Sequence, residues 1–485
     1  MVFGTIIGMA AVLAAGTEEI PTGFEQIAKI TPTSSATGGH LGNSVDIYEN
    51  ILIVGAPYQG GDSYGRGYAQ VAAFSEWGGG IAETIDLSAS DGVDGDLFGM
   101  RVAIGAVEGS TGEGGVAYVS APGRGGDCAN FCGAVYAFSD DGEDEGEITE
   151  AEILTPSDGD AYRAFGLDLS FDGVSLAVGA PYDSEAGESN HGAVYVYTLG
   201  PDGVPTHEER VVCDPPAEYQ TLGWSVSING DRMAVGAIEG TGGPGAVYIF
   251  DRQPDDSWSQ THEVVAAGIA DGDWFGFDVT LVDDVLITSA INYQYGEGED
   301  AKTNIGQVYV FKWDGDSFEE VQQILPPIME SQMAWGFSVD FDGEHLVIGS
   351  NGWQNNGEES TGAAAVYDYG PDDQFIGGRV FIGSDVASFA KFGTAVALHG
   401  ERAIIGAIEE DIDDGGAAYV FSPRCGGDLV DGEGGSSADE IDTDDIFAIV
   451  ENWGTTGITT HDVVQDFDVN IHDLLIVLQY YGSCG

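Results

Sequence analysis

Positive charge is what this sequence has least of. Lysine and arginine total 14 of 485 residues, against 82 aspartates and glutamates, for a formal net charge of −68. Such a surface repels polyanions, so nucleic-acid binding is excluded as a function class and an anionic membrane surface is disfavoured. Cations, calcium above all, are the natural partners. For most of the individual acids the simpler reading is a hydrated surface suited to a salty medium. Cysteine is also scarce, at five residues. Cys128 and Cys132 share one Gly-rich loop, Cys425 and Cys484 bracket the C-terminal segment, and Cys213 is left over. Two local disulfides with one odd thiol fit an oxidising compartment. A zinc site is excluded by the lack of a closely spaced Cys pair with a nearby His. Long apolar runs are missing, so no transmembrane segment is expected. The short run Val2–Ala15 ends at Ala14-Ala15-Gly16 and reads as a signal peptide over residues 1–16, although no Lys or Arg precedes Lys29. Catalytic signatures are lacking as well: there is no GxSxG, P-loop or HExxH. Carboxylates are so numerous that no pair stands out as general acid and base. The chain is therefore expected not to be an enzyme.

Glycine, by contrast, is abundant at 75 residues, and hydrophobic residues make up 43%. Many short β-branched and aromatic runs between turn residues predict an all-β protein. A segment opening with a bulky residue and Gly recurs seven times: Leu41-Gly42, Phe98-Gly99, Phe165-Gly166, Leu222-Gly223, Phe275-Gly276, Trp335-Gly336 and Phe392-Gly393. Spacings of 53 to 67 residues match one four-stranded blade with its loops. In the third copy FGLDLSF alternates as a strand, Asp172-Gly173 marks a tight hairpin, SLAVGAP is a buried second strand ended by Pro181, GAVYVY is a third, and HEERVVC is a more polar fourth. Asn229-Gly230, Asp342-Gly343, His399-Gly400, Asp283-Asp284 and Glu49-Asn50 hold the equivalent turn. Gly and Ala in the second strand permit close approach of neighbouring blades.

These repeats resemble the FG-GAP family of bacterial secreted proteins and integrin α heads. FG stands at 98–99, 165–166, 275–276 and 392–393, GAP at 55–57 and 179–181, and looser copies elsewhere, over roughly residues 24–421. The resemblance implies a seven-bladed β-propeller of four-stranded antiparallel blades. The seventh copy stops after 417–421 without a fourth strand, so FEQIAKI at 24–30 is expected to complete the last blade and close the ring. Strand order places the 1–2 and 3–4 loops on one face, and the 2–3 loops with the connections into the next blade on the other. The second face carries the longer loops, and Tyr58, Asp62, Tyr182, Asp183, Glu185, Tyr293 and Trp353 on it are the candidate ligand-binding residues. The calcium loops of integrin α chains are not matched, because most 1–2 links here are too short for an oxygen cage. Only 105–115 is longer, with Glu108, Ser110 and Glu113 as its acids and hydroxyl.

After Pro423 the composition changes. DIFAIVENWG (445–454) and DLLIVLQYYG (473–482) each start with Asp, carry apolar residues at helical spacing and stop at Gly. They resemble the paired helices of a dockerin, so residues 425–485 are expected to form a small α-helical module. The resemblance puts Asp462, Asp466, Asp468, Asn470 and Asp473 in one calcium loop, and Asp428, Asp431, Asp442 and Asp445 in the other. Val464 and Phe467 depart from the pattern at an oxygen-ligand position and at the turn glycine. The plainer alternative for this segment is a small helical hairpin closed by a Cys425–Cys484 disulfide. The implied cofactor is calcium, and the implied partner of the tail is a cohesin-like or envelope component. The leading function is a secreted or cell-surface binding or adhesion protein with an extracellular protein or glycan ligand. The alternatives are a propeller enzyme acting on extracellular polysaccharide and a structural component of envelope or matrix.

Overall fold

The computed structural model describes residues 24–423, apart from 34–37, 60–64, 75–80, 108–114, 126–130, 141–147, 158–162, 185–188, 202, 239–242, 297–300, 355–359, 371, 401 and 410–414. Internal packing divides the chain into two units. The larger, Gln26–Ser75 with Gly79–Ser422, holds the fold; the smaller, Met1–Glu25, Glu76–Gly78 and Pro423–Gly485, falls almost entirely outside the described residues. The expected signal peptide, the dockerin-like module with its nine calcium candidates, and Cys425 and Cys484 therefore lie outside the described residues.

Among the described residues, twenty-eight strands form seven antiparallel four-stranded sheets. After β1 (Phe24–Ile30), blade 1 is β2 (Ser44–Tyr48), β3 (Ile51–Ala56), β4 (Tyr68–Phe74) and β5 (Ile81–Leu87). Blade 2 is β6 (Val102–Gly105), β7 (Val116–Ala121), β8 (Ala134–Asp140) and β9 (Ile148–Leu154). Blade 3 is β10 (Leu169–Phe171), β11 (Ser175–Ala180), β12 (Ala193–Leu199) and β13 (Pro205–Val211). Blade 4 is β14 (Ser225–Asn229), β15 (Arg232–Ala237), β16 (Ala246–Arg252) and β17 (Trp258–Val264). Blade 5 is β18 (Phe275–Val282), β19 (Val285–Ala290), β20 (Gln307–Trp313) and β21 (Phe318–Ile324). Blade 6 is β22 (Ser338–Phe341), β23 (His345–Ser350), β24 (Ala363–Tyr369) and β25 (Phe375–Phe381). Blade 7 is β26 (Phe392–His399), β27 (Arg402–Ala407) and β28 (Ala417–Pro423), completed by β1 on the outside of β28. The clasp expected from the missing fourth strand is therefore present. The first strands pack side by side around the full ring, β2 against β26 included.

The repeated motif makes the seams between blades. The bulky residue of each copy is 0% exposed, and four of them meet the third-strand tyrosine of their own blade edge to face. The pairs are Phe98–Tyr136, Phe165–Tyr195 and Phe275–Tyr309 at 5.3 Å and Phe392–Tyr419 at 5.4 Å, the tilted geometry that the ring quadrupole favours. The glycine after it has φ between 84° and 93° in all seven copies, a region closed to most side chains. The residue before it is also left-handed, at 51° to 62°, although it is never glycine. In the second strand, a Cβ on Gly55, Gly179, Gly236, Gly349 or Gly406 would fall closer than 3.0 Å to the carbonyl of the next copy's motif glycine. Ser120 and Ser289 hold that place in blades 2 and 5. The core is thus a set of interblade layers, such as Leu41, Val45, Leu52, Val54, Ile404 and Val420 across the closing seam.

Two turn readings shift in register. Blade 4 turns at Gly230-Asp231 rather than Asn229-Gly230, since Asn229 pairs with Arg232, and in blade 7 His399 belongs to the ladder because it pairs with Arg402. Asp172-Gly173 and Asp342-Gly343 open four-residue loops, because each Asp carboxylate accepts the N–H groups two and three residues on and replaces the two-residue turn.

Candidate ligand-binding face and central channel

Inner strands have one edge open, and their N–H groups need acceptors. Short oxygen-bearing side chains two and four residues after the motif glycine supply them across the seam. Ser44 and Asp46 accept from Val102 and Ile104, Asp168 and Ser170 from Val226 and Ile228, Ser227 from Leu281, Asp278 from Val339, and Ser338 and Asp340 from Val396 and Leu398, at 2.7 to 3.2 Å. These positions also line the axial channel, a cavity of about 630 Å³ walled by all seven inner strands. Arg101, just before β6, reaches into the channel and donates through Nε to Asp168 at 3.0 Å. Burial pushes Asp46, Asp278 and Asp340 up to about 7, against the backbone N–H bonds that favour the charged form. Asp168 is raised by burial too, with Arg101 opposing.

One residue after the motif glycine, the side chains form the rim of the channel. Met100, Leu167, Trp224, Phe277 and Phe337 make an apolar arc there, with Trp224–Phe277 at 6.0 Å and Phe277–Phe337 at 5.3 Å. Trp274 stacks on Phe277 at 6.3 Å with 4° between the ring planes. This rim belongs to the face of the 2–3 loops and interblade connections. Of the eleven large apolar side chains that are exposed among the described residues, eight sit on that face: Val93, Phe131, Tyr182, Tyr219, Val265, Tyr295, Ile328 and Phe389. Phe131, Tyr219 and Phe389 combine exposure of 40% to 52% with a left-handed backbone, φ 51° to 67°. Strain of that kind at bulky residues gathers at functional surfaces.

The candidate residues divide in two. Tyr182 is exposed, and Tyr58 and Tyr293 are half-buried, Tyr58 against His40 at 4.9 Å. Trp353 is buried, 6.2 Å from Trp335, and Asp183 is 0% exposed. Tyr58 and Tyr182 stand two residues after the second strand, whereas Asp183 and Trp353 stand three after it and are buried; Tyr293, also three after it, stays half-buried. Asp183 Oδ2 accepts from Arg163 and Arg210 at 3.0 Å and from the Tyr195 hydroxyl at 2.9 Å, so it is a buried brace of the face. Arg124 and the Tyr136 hydroxyl hold Asp91 in a similar way, at 2.6 and 2.7 Å, and keep its carboxyl below the usual range against a burial effect in the other direction. Asp62, Glu185, Cys128, Glu108, Ser110 and Glu113 lie outside the described residues. Cys132 is disulfide-bonded, and Cys213 is a free, buried thiol pushed up to about 12 by burial. Among the described residues no group of three His, Cys, Asp or Glu side chains is placed to hold a metal, and no helix is long and apolar enough to cross a membrane. The channel pins and the rim were missed from the sequence. Their signal was the alternation after each motif glycine, as in SVD, DLS, SVS and DVT.

A closed ring of seven four-stranded blades, with the longer loops gathered on one face, defines a β-propeller, a fold that with these repeats suggests a binding or adhesion type. The chain carries FG-GAP repeats: the family profile described as FG-GAP repeat matches residues 24–72, 148–197, 206–250, 258–311 and 380–421. Blades 2 and 6 lie largely outside the matched spans, in keeping with the long 106–115 link and Ser120 in blade 2 and the GSN sequence at 349–351 in blade 6. No curated protein matches the chain.

Proposed function

We propose that the protein is an extracellular or surface-borne, non-enzymatic binding protein whose ligand seats on the face of the 2–3 loops and interblade connections. The observation that carries this reading is the concentration of exposed aromatic and aliphatic side chains on that face, three of them in left-handed backbone. The opposite face contributes Ile51 alone to the exposed set, and the other two, Ile376 and Val380, lie on the outer strand β25. The fold family is typically extracellular or surface-borne, and the Cys132 disulfide fits an oxidising compartment. The channel supports a binding role over a catalytic one, because both oxygens of Asp46, Asp278 and Asp340 accept N–H groups or lie beside them in the seams. On the sequence resemblance, the C-terminal segment adds calcium-dependent attachment or assembly through Asp462, Asp466, Asp468, Asn470 and Asp473.

The test compares retention of extracellular proteins and glycans from the source medium by three immobilised full-length forms. These are wild type, the Phe131→Ser/Tyr219→Ser/Phe389→Ser variant, and Ile51→Ser. Loss of specific retention in the triple variant alone is expected; equal retention by all three would refute the assignment of the face. Calcium calorimetry on the full chain and on Asp462→Asn/Asp466→Asn tests the tail, and identical isotherms would remove it from the proposal.

A further inference from the structure

The seams built by the channel aspartates have a second consequence. Asp46, Asp278 and Asp340 each sit on an inner strand with one oxygen on the N–H of the next blade, at 2.7 Å, and the other on the N–H of the following residue in their own strand, at 2.8 to 3.1 Å. Among the described residues none of the three forms an ion pair. The charged groups facing them are few. Arg101, just before β6, is engaged by Asp168, just before β10. Lys391 at the rim is engaged by Glu409. Asp172 and Asp342, with His345, stand at the far end, where His345 is 3.8 Å from Asp342, and His399 lies against Tyr48 at 5.1 Å. The wall segments from β14 and β26 bring serine, threonine and alanine and no charge into the channel. Four carboxylates thus share one guanidinium within a narrow, protein-walled space.

We propose that the inner ring is a proton-binding element, so that the propeller takes up protons at the channel in near-neutral medium and its blade seams are more stable in mild acid than in mild alkali. Burial raises the folded-state titration of the three aspartates, so the folded chain holds more protons than the unfolded one between the unfolded value of 3.8 and about 7. Stability therefore falls as pH rises through that window, the reverse of a salt-bridged carboxylate. Phe277 and Phe337 of the rim adjoin Asp278 and Ser338, which places the titrating ring directly beneath the exposed face.

The test uses the full chain in 1 M NaCl, which screens the net surface charge to a range of about 3 Å. Urea unfolding is measured from pH 5 to 8.5 for wild type, for Asp46→Asn/Asp278→Asn/Asp340→Asn, and for a surface control, Glu218→Gln/Asp271→Asn/Asp316→Asn. In wild type and control, the unfolding constant is expected to rise by up to about tenfold per pH unit for each carboxylate across the window. The channel variant is expected to lose most of that slope. Should the variant not fold, infrared spectra of wild type decide: a protonated-carboxyl band present at pH 6 and lost by pH 9 supports the proposal. No such band at pH 6, or a wild-type slope that survives in a folded channel variant, overturns it.

Discussion

Replacing Gly179 with alanine isolates the seam from every other use of glycine. Gly179 lies within β11, one residue from its end, with an ordinary φ, so the backbone accepts alanine without strain. The added Cβ would meet the carbonyl oxygen and then, at 3.1 Å, the carbonyl carbon of Gly223 in the next blade. That obstacle is backbone, itself fixed by the bond from Gly223 N–H to the Gly236 carbonyl at 3.2 Å. Relief requires blades 3 and 4 to separate locally by about 1 Å, and overpacking of this kind costs about 3 kcal/mol, the upper end of its range. Ser120 and Ser289 show that a seam can be built around a Cβ, but there the neighbouring residues have adapted with it. The assay is urea unfolding followed by tryptophan fluorescence, comparing midpoints at unchanged slope. Gly415→Ala is the control, since its Cβ would have its nearest neighbour at 3.4 Å, and a change within about 0.5 kcal/mol is expected. If Gly179→Ala costs no more than Gly415→Ala, close glycine packing does not hold the blades together and the reading of the motif fails.

Three further outcomes are expected. Ala164→Gly relieves a left-handed alanine at φ 51° and should stabilise the protein by up to about 1 kcal/mol in the same assay. Asp183→Ala leaves Arg163, 2% exposed, without its carboxylate and should destabilise by about 3 to 5 kcal/mol; a cost below 1 kcal/mol would mean the brace is dispensable. Removing residues 24–30 strips β1 from β28 and exposes a long sheet edge, so the truncated chain should aggregate in sedimentation runs where the full chain does not.

The blade count, the strand order and the clasp were all legible, because each rests on a local pattern repeated in register. Seven bulky-Gly pairs mark seven inner strands, and a repeat lacking its fourth strand points to the spare strand at the other end of the chain. The face of the 2–3 loops and interblade connections was legible as a face, since strand order alone decides which loops share a side. Its individual residues were legible only in part. Tyr182 is exposed, but Asp183, its neighbour, is buried between two arginines, and Trp353 packs on Trp335. Neighbouring residues in one loop differ between solvent and seam, and only the folded loop shows which way each side chain turns. Gly230-Asp231 was misplaced by one residue for a related reason: a hairpin's register is set by the pairing of both strands.

By itself, the sequence determined the repeat, the hydrophobic layering and the acidity, since these are properties of local order and composition. Tertiary structure alone decided that serines and aspartates from five distant segments meet around one axis, where they accept N–H groups from the next blade. It also decided that burial pushes the carboxyls of the aspartates among them upward, because burial is a property of the closed ring and not of any strand within it.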